Sequence, residues 1–218
     1  MIKAIIFDFD GVIAESVEVK TDAFAELYSA YGKDIIKKVI KYHQENGGVS
    51  RFEKIKYYHK EFLNIILKEN DIYELAHVFS ELVKDRVIDA PYVSGVMDFI
   101  KHKFGEYKLF ISTGTPTDEI RYILMKRGID SYFLDVFGSP DIKSKHIKKI
   151  IFKHGLNPNE IIFFGDSDTD LQAAEEVGTN FVLVKNDFNY HISEKYNGEM
   201  ISTFRDYSIT EKIMTKIE

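Results

Sequence analysis

The sequence contains no cysteine. That excludes disulfides, thiolate metal sites and cysteine nucleophiles, and it fits a reducing compartment. No basic block is present either. Lys and Arg number 29 against 35 Asp and Glu, a net charge of −6, which argues against nucleic acid as the main partner. Long apolar runs are missing too. The opening stretch MIKAIIFDFDG meets acids almost at once. It has neither a signal-peptide core with a cleavage site nor a membrane-spanning length, so a cytoplasmic location with no membrane partner is the default expectation. There is no repeat and no low-complexity linker. The 218 residues suit one large domain or a core with an inserted subdomain.

Several short apolar segments are present. KAIIFDF near the N-terminus, YKLFIST at 107–113, EIIFFGD at 160–166 and TNFVLVK at 179–185 are continuous rather than alternating. This pattern predicts parallel strands covered on both faces. DVFGS at 135–139 is a shorter candidate. Helical signals lie between them. TPTDEIRYILMKRG reads with Thr115 as N-cap, Pro116 in the first turn and Gly128 as stop. KSKHIKKIIFKHG ends at Gly155 and DTDLQAAEEVG at Gly178. The alternation predicts an α/β fold, a doubly wound, Rossmann-like parallel sheet.

Residues 17–88 break this alternation and read as helix throughout. AFAELYSAYG stops at Gly32. Ser50 with Glu53, and Asp71 with Glu74, read as capping boxes ahead of further helices. The expected organisation is a core of 1–16 and 89–218 with an all-helical cap at 17–88. The insertion follows the first strand directly, so it should hang over the C-terminal strand ends, where open α/β sheets bind ligands.

IIFDFDG puts Asp8 and Asp10 one residue apart where a buried strand should end. At about 5 Å and an effective dielectric of about 20, two such charges repel by roughly 3 kcal/mol. A bound divalent cation is the simplest offset. Three more groups fall at strand C-termini: Ser112-Thr113-Gly114, then Lys143 in GSPDIKSKH, then GDSDTD with Asp166, Asp168 and Asp170. Carboxylates, a hydroxyl and an ammonium together suit phosphoryl transfer through an aspartyl-phosphate, with Mg²⁺ bound by hard oxygens. Gly11 allows a sharp turn whose amides can face a phosphate.

This ordered set, D-x-D-G-V-I, then S-T-G, then Lys, then G-D-x-x-x-D, resembles the haloacid dehalogenase superfamily across the whole core. The resemblance implies Asp8 as nucleophile and metal ligand. Asp10 would be the general acid/base and give its backbone carbonyl to the metal. Ser112 would bind the phosphoryl group beside Thr113, Gly114 and Gly11, and Lys143 would balance its charge. Asp166 would be a further metal ligand, with Asp170 orienting it or a metal-bound water. The acid at position 10 separates this chain from the dehalogenase and phosphonatase branches. GGVSRFEK at 47–54 is similar to the cap loop of the β-phosphoglucomutase-like branch, which makes Arg51 a candidate for the substrate's far end. That branch's mutases carry a histidine where this chain has Lys20, which favours a phosphatase and makes Lys20 a further candidate for substrate binding.

Plainer readings stand beside these. Asp8 and Asp10 could cap a helix, and Ser112 could be an ordinary strand-end hydroxyl. Lys145 competes with Lys143. Asp168 reads as an N-cap, Asp170 as a helix-dipole acid, and Arg51 as a first-turn surface residue. His43, His59, His77 and His102 read as surface or packing residues, and YHKEF as the core of a cap helix. RDYSITEKIMTKIE reads as a terminal helix. The leading function is a Mg²⁺-dependent phosphatase acting on a small phosphorylated metabolite, a sugar phosphate or a phosphoglycolate-like acid. A phosphomutase on the same core, and a phospho-accepting regulatory domain, are the alternatives. Oligomeric state is not legible.

Overall fold

A computed structural model describes residues 1–205. The segment from residue 206 onward, expected as the terminal helix, lies outside the described residues. Six parallel strands form one sheet: β1 (Ala4–Phe7), β2 (Lys108–Pro116), β3 (Asp135–Ser139), β4 (Ile161–Gly165), β5 (Asn180–Val184) and β6 (Glu199–Ile201). Their order is β3-β2-β1-β4-β5-β6. From β1 the chain runs outward to β2 and β3, then returns to β4 on the other side. The order therefore switches direction next to β1, which opens a crevice at the C-terminal strand ends. The sequence did not reveal β6, a three-residue edge strand.

Side-chain parity assigns each strand residue to one of two layers. Ala4, Ile6 and Phe110 pack against Ile147 and Ile150 of α7 (Lys143–His154) and Ala173 and Ala174 of α8 (Asp168–Val177). Ile5, Phe7, Leu109 and Ile111 face α5 (Val96–Lys103) and α6 (Thr117–Lys126). A short helix, α9 (Tyr190–Ser193), follows β5 and packs with the α7 layer through Ile192. Both sheet faces are covered, which is why the strands read as unbroken apolar runs.

Between β1 and α5 lie α1 (Val17–Leu27), α2 (Lys33–Glu45), α3 (Arg51–Tyr57) and α4 (Glu69–Asp89). Phe24, Tyr28, Tyr58 and Phe79 are fully buried among them, and the Phe24 and Phe79 rings lie 4.1 Å apart. YHKEF thus contributes Tyr58 to packing, as expected. Among the described residues no helix is long and apolar enough to cross a membrane.

Three local expectations are corrected. Thr115 is no N-cap, because β2 runs on to Pro116 and α6 starts at Thr117. Asp71 sits at the third position of α4, not at its cap, and its carboxylate accepts the Lys68 backbone N–H at 3.1 Å. Asp168 is the first residue of α8, and Ser167 is the cap. Of the two readings of His43, surface or packing, the structure shows packing: it is buried against Phe24, in the wall of the site. Ser50 does cap α3, accepting the Glu53 N–H.

Candidate active site

The turn after β1 carries Asp8 and Asp10 to the sheet rim, and each carboxylate meets its own lysine. Lys143, at the start of α7, donates to Asp8 Oδ2 at 2.7 Å and to Asp170 Oδ1 at 2.5 Å. Parity explains the first contact: Asp8 points to the same face as Ala4 and Ile6, toward α7. Lys20 of α1 donates to Asp10 Oδ2 and, at 2.8 Å, to Thr115 Oγ1. Ser16 donates to Asp10 Oδ1 at 2.6 Å. Two ammonium groups therefore offset the Asp8–Asp10 repulsion within the chain itself, a solution not foreseen in the sequence. Lys143 is buried, whereas Lys145 is largely exposed and lies 3.6 Å from Asp141. The choice between them falls to Lys143.

Asp166 follows β4, the neighbour of β1. Asp8, Asp166 and Asp170 each offer an oxygen within 4.8 Å of the others. The Asp10 carboxylate is not among them. Asp170 is fully buried. Besides Lys143 it accepts from the Ser167 hydroxyl and, at 3.1 Å, the Ser167 backbone N–H. It thereby completes the cap of α8 while sitting in the acidic cluster.

The electrostatics split the two aspartates. Burial pushes Asp8 up to about 7; Lys143 opposes this, and Asp170 and Asp10 add to it. Asp166 is raised well above the usual carboxylate range by burial, then by Asp8 and Asp170. Asp10 is only half-buried, and Lys20 and Ser16 outweigh its desolvation and lower it. Lys143 is also raised, because Asp170 and Asp8 outweigh its burial. Buried Asp8 and Asp170 share the Lys143 ammonium, and half-buried Asp166 stands beside them; the three form an all-oxygen donor set with excess negative charge, and such a set fits Mg²⁺.

Ser112 is corrected. Its parity matches Phe110, so it points into the α7 layer, where its hydroxyl lies 3.0 Å from His146 Nδ1. The opposite edge of that ring reaches the Gly138 carbonyl at 3.2 Å. Burial lowers His146 to about 4, so the neutral ring accepts the Ser112 proton. Thr113, Gly114 and Thr115 line the cavity with Asp8 and Asp10, and Ser112 does not. Gly11 is corrected as well, because its N–H is taken by the Ala14 carbonyl at 2.8 Å. Its own importance is steric. It has φ +76, and a Cβ there would stand 2.0 Å from Asp166 Oδ2.

The insertion closes over this rim. A Cβ on Gly48 would lie 1.9 Å from Thr169 Oγ1 and 3.2 Å from Lys143 Nζ, and one on Gly114 would meet the Gly48 carbonyl at 2.6 Å. The GGVS loop therefore rests directly on the core. Arg51 lines the same cavity, but its guanidinium is occupied. It donates to Glu119 of α6 at 2.7 and 2.6 Å, and to Ser80. It stacks over the Phe79 ring at 4.7 Å. It is neither a surface arginine nor, in this arrangement, a free cation.

Sequence reasoning missed Asn186 and Asn189 in the loop after β5. Asn186 donates to Asp166 Oδ2 and Asn189 to the Asp166 carbonyl, both at 2.8 Å. Their signal was a polar cluster, NDFN, at a fifth strand end. Ser16, Thr115, His43 and Lys54 were also missed.

Residues 5–184 match the family described as haloacid dehalogenase-like hydrolase. The chain belongs to that family. It is 28% identical over 185 residues to a phosphorylated carbohydrates phosphatase of Thermotoga maritima, covering 81% of this chain and 82% of that one. A phosphoglycolate phosphatase of Pasteurella multocida is 32% identical over 108 residues, so this chain spans about half of its length, 47%. Among solved structures, β-phosphoglucomutase from Clostridium difficile aligns with a TM-score of 0.79 at 22% identity, covering 100% of this chain and 99% of that one. At that identity the likeness concerns the fold.

Proposed function

We propose that this enzyme, a phosphoric monoester hydrolase by family, is a Mg²⁺-dependent phosphatase of a small phosphorylated metabolite that works through an aspartyl-phosphate. The substrate class is a phosphorylated carbohydrate or a phosphoglycolate-like acid. The observation that carries this reading is the meeting of Asp8, Lys143, Asp166 and Asp170 at the switch in strand order, with Asp10 and Thr113 on the same cavity.

In the first step Asp8 attacks phosphorus, a P–O bond to Asp8 forms, and the bond to the leaving oxygen breaks. Asp10 gives that oxygen a proton. Lys20 holds Asp10 ionised, and a phosphate dianion arriving beside it opposes Lys20 and favours the protonated form. In the second step Asp10 takes a proton from water, which attacks phosphorus and releases inorganic phosphate and free Asp8. Lys143 holds Asp8 in place and balances the phosphoryl charge. The Thr113 hydroxyl and the Gly114 amide face the phosphoryl oxygens. Asp8, Asp166 and the Asp10 carbonyl would hold Mg²⁺, with Asp170, Asn186 and Asn189 orienting Asp166. When bound, Mg²⁺ supplies positive charge against the gathered oxygens. Residues 17–88 act as the cap that excludes water from the reaction.

Turnover of p-nitrophenyl phosphate with Mg²⁺ tests this reading. Excess EDTA should abolish it, and added Mg²⁺ should restore it; full activity in EDTA would remove the metal role given to Asp8 and Asp166. Thr113→Val should lower kcat/KM by about tenfold or more, the loss of one hydrogen bond to a charged group. Ser112→Ala should instead lower thermal stability, by about 1–3 kcal/mol, because it leaves the buried His146 Nδ1 without its donor. The opposite pattern would restore Ser112 as the phosphoryl contact.

A further inference from the structure

The cap presents three cations to the cavity above Asp8: Lys20, Arg51 and Lys54. Two are neutralised within the chain, Lys20 by Asp10 and Arg51 by Glu119. The third is not. Lys54 is 2% exposed. Its ammonium donates to His43 Nδ1 at 2.9 Å and to the His43 carbonyl at 3.5 Å, and it lies 5.9 Å from the centre of the Phe24 ring. Among the described residues no carboxylate stands within ion-pair distance of it. A buried charge without a counter-ion is costly and persists where it serves a site.

We propose that Lys54, oriented by His43, forms a second anion subsite in the cap, which takes the far carboxylate or phosphate of a substrate whose near phosphate sits at Asp8. This rests on the phosphatase reading and narrows it: the substrate carries two anionic ends. A neutral sugar terminus would leave the Lys54 charge unmatched. Arg51 cannot fill this place while Glu119 holds both of its terminal nitrogens.

The surroundings of the pair agree. Burial, then Lys20, lower Lys54 to about 7, with Lys143 adding and Asp10 and Asp166 opposing. Burial, then Lys54 and Lys20, hold His43 well below its usual range, so the ring is neutral. The neutral ring thus turns its acceptor nitrogen to Lys54 and leaves part of the ammonium for a ligand. An anion arriving there adds the missing opposite charge.

The test is calorimetric titration of the full chain with Mg²⁺, using phosphonates, whose P–C bond resists hydrolysis. Three sets of two to five carbons differ only at the far end: hydroxyl, carboxylate or second phosphonate. At one chain length an anionic end should bind at least tenfold more tightly than hydroxyl. The carboxylate and phosphonate arms decide between the two anions. In Lys54→Met and in Lys54→Gln that ratio should fall to within about twofold, while the melting temperature holds or rises, because an uncompensated buried charge is gone. Equal binding of all three ends by the wild type overturns the proposal. So does a ratio that survives in both variants, or one lost together with a fall in melting temperature in both. Hydrolysis of p-nitrophenyl phosphate, measured separately, tests the phosphatase reading. Failure there with the binding ratio intact sinks that reading and keeps the anion subsite.

Discussion

Asp8→Asn should lower kcat by at least about 10³-fold, since an amide forms no phosphorylated intermediate and its loss removes the whole covalent route. The fold should survive the change. Lys143 keeps its bond to Asp170, and Asn retains an oxygen for the Asp8 contact. Stability adds a second readout in metal-free buffer. An acid whose folded pKa is raised binds its proton more tightly folded than unfolded. Its cost to stability therefore grows from pH about 4, the unfolded value, and is complete above about 7, where the folded Asp8 titrates. Asp8→Asn should then raise the melting temperature more at pH 8 than at pH 5. Near-native turnover in the variant would end the covalent mechanism. A stability gain equal at both pH values would show that Asp8 carries no raised pKa.

Much of this site could be read in the sequence, because a parallel sheet gathers all its strand C-termini on one edge. Asp8, Asp10, Thr113, Lys143 and Asp166 each follow an apolar run, so the order of runs was enough to bring them together. Within a strand end the reading failed by one residue. Ser112 and Thr113 both carry hydroxyls, and only parity against Phe110 and Ile111 separates the His146 side from the cavity side. Thr115 was hidden for a related reason. Thr-Pro-Thr looks like a helix start, whereas the strand runs on to Pro116 and delivers Thr115 to Lys20 and Asp10.

The cap was legible as helix but not as chemistry. Arg51 and Lys54 both fall in the first turns of α3, where cations normally meet water. The acid that takes Arg51, Glu119, lies 68 residues further on, in a core helix. Nothing local announces that partner, nor the turning of Lys54 inward against His43. These contacts exist because four helices must bury their aromatic faces together and then rest on the core through Gly47 and Gly48. A glycine at 48 matters most there, since φ +74 suits it and a Cβ would strike Thr169. The bidentate Arg51–Glu119 pair spans insertion and core in the same closed arrangement.

Asp10 separates the two half-reactions, and its replacement should split them by substrate. Its carboxylate is held by Ser16, Lys20 and Thr115, so it is fixed in place rather than swinging freely. With an alkyl phosphate the departing alkoxide needs a proton in the first step, and Asp10→Ala should cost about 10²–10⁴-fold in kcat, the usual range for a positioned acid. Nitrophenolate leaves without a proton, so with p-nitrophenyl phosphate the first step should survive. The second step still lacks its base. Asp10→Ala should therefore release a burst of nitrophenolate, close to one equivalent per active site, followed by slow steady turnover as the phosphorylated enzyme accumulates. Rapid mixing reads the burst, and intact-mass measurement reads the added phosphoryl group. Lys20 then has no carboxylate to pair with, and Lys20→Met in the Asp10→Ala background should change turnover little further, because the two act as one unit. Equal steady-state losses on both substrates with no burst would mean that Asp10 handles no proton, and that its carboxylate serves only to anchor Lys20 and the cap.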